Sequence, residues 1–340
     1  MKIIFRSDGG TETGWGHIYR SLAIVKMLHQ DFDCVFVSAA PPVFLSKELK
    51  TIEVPLVILD KVAYPPIGNR QAGEEVPFDM DHLLSGTETV VLDGYWFGSK
   101  FQEAVKKKGC TLAYIDDLHE GMYHADLIFN QSPGITSDHY IAQAYTRFAL
   151  GLGFAMLRPS FLKAAATGRL DKKDPSVFIC FGGADPLHLT RRSLEAVSSQ
   201  PGFEKIYCVT SIKDDAACEV IAKKDKRIQL LYQLDEEEMC AVMTACKFAV
   251  VPSSALLIEA IACGTEPVTC YYTQNQHDFH SAMLAAGIHS AGLVDENFAM
   301  QLELALQEVK NSSTSAVPAL MKEISRSKEN FIEQFNKLVK

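Results

Sequence analysis

The chain has 340 residues, 47% hydrophobic and 22% charged, a composition that excludes a disordered or fibrous protein and suits two globular domains of roughly 150 residues each. Its formal net charge is −9, with acidic and basic residues mixed throughout, so no basic stripe is present to neutralise a phosphate backbone and nucleic acid is excluded as a partner. No run approaches the ~20 apolar residues of a membrane span, and Met1 leads into the short run KIIF and not into a signal peptide; a cytoplasmic protein without stable membrane association is expected.

In chain order, short apolar runs alternate with amphipathic segments: KIIF, a helix from about Gly16 to His29, CVFV, VPLVIL, TVVLD, CTLAYID, DLIFN and RFALG. Parallel strands joined by crossover helices produce this rhythm, because strands buried on both faces read as continuous apolar runs. Pro65-Pro66, Gly68, Gly73 and Pro77 mark a polar surface insertion over about 60–85. After Leu157 a polar piece reaches Pro175, and the rhythm then restarts with SVFICF, a helix from about Leu187, KIYCV, RIQLLY, an acidic helix from Asp235, FAVVP, a helix across Leu256 to Cys263, and EPVTCYY. The expected division is a Rossmann-like domain over 1–157, a linker over 158–175, a second Rossmann-like domain over 176–312 and a C-terminal helix over 313–340. That last helix should start at Pro318 and pack through Met321, Ile324, Phe331, Phe335 and Leu338. The fold class is α/β, two Rossmann-like halves facing across a cleft, which resembles the architecture called GT-B. The nine cysteines include no C-x-x-C pair and most lie in apolar runs, as reduced core thiols do.

The strongest local pattern is Arg6-Ser7-Asp8, five residues of loop, then Gly14-Trp15-Gly16-His17 and Arg20. A strand ends at Phe5, a glycine-rich loop follows, and a helix begins near His17; ligands of open α/β sheets bind beyond the carboxyl ends of the strands, where this loop lies. A histidine in the first turn of a helix feels the positive end of the dipole, which disfavours imidazolium and leaves a neutral ring able to accept a proton. The competing role is a turn cap. The loop is neither a dinucleotide fingerprint, because Tyr19 or Arg20 stands where the last glycine belongs, nor a P-loop.

Further blocks follow in order: Val91-Leu92-Asp93-Gly94-Tyr95, Ile115-Asp116-Asp117-Leu118, Asn130-Gln131-Ser132-Pro133, Leu157-Arg158-Pro159 with Phe161, Phe181-Gly182-Gly183 with Asp185-Pro186, and Asn275-Gln276. With the N-terminal run, they resemble, over nearly the whole chain, the hydrolase family that releases UDP from UDP-2,4-diacetamido-2,4,6-trideoxy-β-L-altropyranose on the route to pseudaminic acid, a relative of the glycosyltransferase that completes lipid II. The resemblance implies that His17 is the general base, with Tyr95 near the reacting sugar and Glu259 on the ribose hydroxyls of UDP. It places Arg6, Asp8, Gly14, Gly16, Arg20, Asp117 and Arg158 among the groups that meet substrate. Gly182-Gly183 ends a strand and opens towards a helix, where backbone N–H groups can meet a diphosphate. Ser253-Ser254 stands at a second helix start, in place of a Gly-Gly-Ser-Thr type loop, which leaves open which hydroxyl touches phosphate. Asn275 and Gln276 can hydrogen-bond sugar hydroxyls or acetamido groups, with helix capping the competing role for Asn275.

UDP is a weakly basic leaving group, so cleavage at C1 needs a base for water and stabilisation of charge on the diphosphate, with no strong acid. One base without a nucleophilic carboxylate implies inversion. No cofactor and no metal are expected: His277 and His280 share a helix face but lack a third ligand, and Asp116-Asp117 reads as a structural turn. The partner expected is a small UDP-sugar, bound by a monomer. An inverting glycosyltransferase, in which His17 deprotonates a sugar hydroxyl, is the alternative, and a non-catalytic sugar-nucleotide sensor a third reading.

Overall fold

A computed structural model describes residues 1–10, 15–60, 75–168, 170, 174–183, 185–210 and 215–338. The chain divides into two units, Met1–Pro159 with Ser327–Lys340, and Ser160–Arg326.

In the first unit the apolar runs become β1 (Lys2–Ser7), β2 (Asp33–Ser38), β3 (Leu56–Ile58), β4 (Thr89–Asp93), β5 (Thr111–Ile115), β6 (Met122–Tyr123), β7 (Leu127–Asn130), β8 (Ile141–Ala142) and β9 (Arg147–Leu150). Seven of them form one parallel sheet in the order β3-β2-β1-β4-β5-β7-β9, and β6 and β8 pair separately. The helices are α1 (Gly16–Leu28), α2 (Val43–Thr51) and α3 (Ser99–Lys107). Strand order reverses at β1: β2 lies on one side and β4 on the other, with Ser7 opposite Asp93. Such a reversal opens a crevice at the carboxyl ends of the two strands, because the connections leave towards opposite faces.

The second unit repeats the scheme with α4 (Pro159–Thr167), β10 (Ser176–Ile179), α5 (Leu189–Ser199), β11 (Lys205–Val209), α6 (Asp215–Lys224), β12 (Ile228–Leu231), α7 (Glu236–Ala245), β13 (Phe248–Pro252), α8 (Ala255–Ala262), β14 (Glu266–Tyr271), α9 (His277–Ala285), β15 (His289–Leu293), α10 (Phe298–Asn311) and α11 (Val317–Ile324). Its parallel sheet runs β12-β11-β10-β13-β14-β15, so the reversal falls at β10, beside β13. Asp235 starts α7 with a capping box, accepting from the Glu238 N–H while the Glu238 carboxylate accepts from the Asp235 N–H. Among the described residues no helix is long and apolar enough to cross a membrane.

Three sequence expectations differ from the structure. The stretch 158–175 holds α4, because Pro159 opens a helix in its first turn and Phe161 and Ala165, one turn apart, are both buried. The expected C-terminal helix is two helices, α11 and then α12 (Ser327–Leu338), and α12 is grouped with the first unit. Its Phe331 and Phe335, again one turn apart and fully buried, stack near Phe129 with ring centroids at 4.7 and 5.7 Å. The supposed surface insertion over 60–85 is in part interior: Val76 and Met80 join the core with Trp96 and Phe101, and Glu75 accepts from the Lys100 and Phe101 N–H groups at the start of α3. Residues 61–74 lie outside the described residues. All nine cysteines are free and buried, as core thiols are.

Candidate active site

The first unit gathers its chemistry where β1 and β4 end. His17 is the second residue of α1 and is buried, and Asp93, the last residue of β4, is wholly buried. The imidazole Nδ1 lies 2.8 Å from Asp93 Oδ1. A carboxylate can only accept, so Nδ1 donates to it, and in a neutral ring the lone pair then lies on Nε2; Arg20 Nη2, 2.9 Å from Nδ1 and 2.6 Å from Asp93 Oδ1, is a second donor directed at the same oxygen. Asp93 also takes Arg20 Nε at 2.8 and 2.9 Å and the Ser21 hydroxyl at 2.9 Å. Burial alone would push the Asp93 carboxyl up; Arg20 and His17 override it and hold the group below the usual carboxylate range.

Arg20 reaches onward with Nη1 to Asp117 Oδ2 at 2.8 Å, and the Tyr95 phenol donates to that same oxygen at 3.3 Å. The Tyr95 ring stands edge-on to the imidazole, centroids 4.5 Å apart. His17, Asp93, Arg20, Asp117 and Tyr95 thus form one connected set. Asp116, the neighbour of Asp117, is committed to its own turn: it accepts from Tyr123 O–H and from the Leu118 and His119 N–H groups. Burial and the adjacent Asp117 push its carboxyl up.

Arg6 and Asp8, expected to meet substrate, are turned inward. Arg6 is fully buried, its guanidinium paired with Asp8 and, at 2.8 Å, with Asp79, and it lies over the Phe97 ring. Asp8 further accepts from the Ser38 hydroxyl and the Ala39 N–H. A charge removed from water must be paired and hydrogen-bonded, and this set does that for the entrance of the glycine-rich loop. Gly16 is exposed at the helix start, with no atom within 4 Å of where a Cβ would sit; Arg158 is half-buried before α4, and Gly14 lies outside the described residues.

In the second unit the equivalent edge, where β10 and β13 end, carries Gly182-Gly183 and Ser253-Ser254. Gly182 has φ +79, a conformation that favours glycine, and at neither glycine would a Cβ meet any atom within 4 Å. These glycines do not run straight into a helix, however: α5 starts only at Leu189, and its first N–H groups, those of Leu189 and Thr190, donate to buried Asp185 at 2.7 and 2.8 Å. An internal carboxylate thus takes the N–H groups at the start of α5 itself. Both serine hydroxyls are likewise engaged. Ser254 caps α8 by accepting from the Leu256 N–H, and Ser253 Oγ lies 2.8 Å from His280 Nδ1 and 2.9 Å from Thr269 Oγ1.

Glu259 is buried in α8. Asn275 is exposed in a short 3-10 turn, Gln274–Gln276, and the residue that precedes α9 is Gln276, so capping does not fall to Asn275. Gln276 accepts from the Tyr272 N–H through Oε1 at 3.0 Å. His277 and His280 part company despite their spacing. The first pairs with Asp278 at the surface; the second is buried between Ser253 and Ser290, 3.0 Å from the latter, and burial lowers its pKa.

Sequence reasoning missed Asp93 as the partner of His17, Asp79 as the partner of Arg6, and Asp185 as the cap of α5. For Asp93 a signal existed: a strand ending in Asp-Gly, one of the two strands able to flank β1.

No protein-family model matches the chain. It is 24% identical over 284 residues to the UDP-2,4-diacetamido-2,4,6-trideoxy-β-L-altropyranose hydrolase of Campylobacter jejuni, covering 81% of this chain and 93% of that one. Among solved structures, MurG of Acinetobacter baumannii superposes with a TM-score of 0.65 at 12% identity, over 99% of this chain and all of the other. The Anabaena protein Alr3699/HepE, solved in complex with UDP-glucose, gives a TM-score of 0.56 at 13% identity over 99% and 98% of the two chains. The chain is therefore a distant homologue of the Campylobacter hydrolase, built on the GT-B fold that it shares with MurG.

Proposed function

We propose that the protein hydrolyses a UDP-amino-sugar, UDP-2,4-diacetamido-2,4,6-trideoxy-β-L-altropyranose or a close relative, by attack of water at C1 with inversion. The chemistry rests on one observation, the His17 Nδ1 to Asp93 contact of 2.8 Å at the reversal of the first sheet. The substrate class rests on the similarity to the Campylobacter hydrolase.

His17 Nε2 takes a proton from water as the water oxygen forms its bond to C1, and the bond from C1 to the diphosphate oxygen breaks with its electron pair leaving on UDP. Asp93 stabilises the imidazolium that results. The ring then releases its proton to solvent. Tyr95 and Asp117 border the sugar, and Arg6 with Asp8 brace the end of β1. In the second unit, backbone N–H groups around Gly182-Gly183 and the start of α8 meet the diphosphate, in preference to the Ser253 and Ser254 hydroxyls already used. Glu259 takes the ribose hydroxyls, and Asn275 and Gln276 face the sugar substituents. Neither a metal nor a cofactor is part of this scheme.

Incubation with a panel of UDP-sugars in the absence of any acceptor, with NMR detection of free UDP and free sugar, tests the reading. Turnover of a diacetamido-trideoxy sugar is expected; release that requires an added sugar or lipid acceptor would make the protein a glycosyltransferase. A second expectation concerns Glu259. Charge-assisted hydrogen bonds contribute about 1.5–3 kcal/mol each, so Glu259→Ala should weaken UDP binding at least about tenfold by calorimetry. Unchanged affinity would move the ribose elsewhere.

A further inference from the structure

Each of the three Arg20 nitrogens has a partner within the protein. Nε faces both oxygens of Asp93 at 2.8 and 2.9 Å, Nη2 lies 2.6 Å from Asp93 Oδ1, and Nη1 lies 2.8 Å from Asp117 Oδ2; Nη2 and His17 Nδ1, 2.9 Å apart, are neighbouring donors to the one oxygen Asp93 Oδ1. Its side chain is 14% exposed. We propose that Arg20 is a positioning residue: by gripping Asp93 and Asp117 with opposite arms of one guanidinium, it fixes His17 in the Nδ1–H tautomer and holds the Tyr95 phenol beside the imidazole. The proposal rests on reading His17 as the base.

The contest is over one proton. Asp93 is faced by His17, Arg20 and Ser21 from α1 and by Tyr114 from β5, while Asp117 and Tyr95, from the loops after β5 and β4, meet the far side of Arg20. Arg20 is the permanent cation in that set. Without it, burial favours protonated Asp93, and a protonated carboxyl donates to Nδ1. The ring would then carry its proton on Nε2, where it cannot accept one from water. The second arm acts through Asp117, whose Oδ2 receives both Arg20 and the Tyr95 hydroxyl. Lysine would supply the charge but not the fork, because an ammonium on a flexible stem does not present two parallel donor edges to two carboxylates. Arg20→Lys should therefore keep Asp93 ionised and loosen Asp117 and Tyr95, whereas Arg20→Met should lose both functions.

Long-range ¹H–¹⁵N spectra of the full chain labelled at histidine nitrogen report the tautomer without any ligand, with the His17 signals assigned by their loss in His17→Phe. Neutral His17 is expected as Nδ1–H in the wild type and in Arg20→Lys, and as Nε2–H in Arg20→Met. In UDP release from UDP-2,4-diacetamido-2,4,6-trideoxy-β-L-altropyranose, kcat should fall about 100-fold or more in Arg20→Met, with KM within about threefold. The acid limb of its pH profile should move to higher pH, and that of Arg20→Lys should stay in place at a reduced kcat. A raised KM at wild-type kcat would make Arg20 a substrate ligand, and an Nδ1–H ring in folded Arg20→Met would remove its hold on the tautomer; either overturns the proposal. Should Arg20→Met fail to fold, Arg20→Lys carries the test through the same split of kcat from KM. A wild type that does not turn over this substrate defeats the functional reading instead, and the tautomer measurement still decides the role of Arg20.

Discussion

His17→Phe is expected to lower turnover by at least the ~100-fold that a positioned general base contributes, with UDP affinity unchanged. The substitution is suited to the site: the ring is buried, lies edge-on to Tyr95 and sits at the start of α1, so phenylalanine keeps the aromatic contact while removing both nitrogens. Loss of the proton acceptor leaves water unassisted. It leaves untouched the second unit, where Gly182, Gly183 and Glu259 are proposed to hold the nucleotide. Turnover within a few-fold of wild type would remove His17 from the reaction.

Asp93→Asn should be as damaging to activity, by roughly 10² to 10⁴-fold, since an amide can present N–H to the imidazole and so stabilise the wrong tautomer. It carries a second consequence that His17→Phe lacks. Asp93 is fully buried and Arg20 nearly so, and removing one partner of a buried ion pair costs about 3–5 kcal/mol because the other charge is left uncompensated. Urea unfolding should show that loss, and a wild-type midpoint would mean that Asp117 alone satisfies Arg20. The pH dependence has a definite sign. Asp93 is held below the usual carboxylate range, so its contribution to stability is complete above the unfolded-state value, near pH ~3.9, and is lost as pH falls through the lower folded-state value. In Asp93→Asn that part of the acid destabilisation should disappear.

The fold was legible because buried parallel strands write themselves as uninterrupted apolar runs, and each run named from KIIF to EPVTCYY has a strand of the two sheets within it. The position of His17 was legible for a related reason: a glycine-rich loop after the first strand falls at the carboxyl edge whatever the sheet order. Its partner was not. Asp93 lies 76 positions away, and only the placement of β4 beside β1 brings it to the imidazole. The burial of Arg6 and Asp8 was not legible, because spacing does not report burial; Asp79, which pairs with Arg6 from 73 positions away, sits in a stretch whose composition reads as surface. The same holds for Asp185, whose hydrogen bonds cap the first N–H groups of α5 from within the chain.

Running the reaction in ¹⁸O-water tests the central claim most directly. Attack of water at C1, with His17 as base, puts the label in the C1 hydroxyl of the released sugar and leaves UDP unlabelled, and NMR spectra taken before mutarotation should show the anomer opposite to that of the substrate. Label in UDP would mean cleavage at phosphorus, and retention at C1 would require a covalent intermediate; either result would contradict the mechanism.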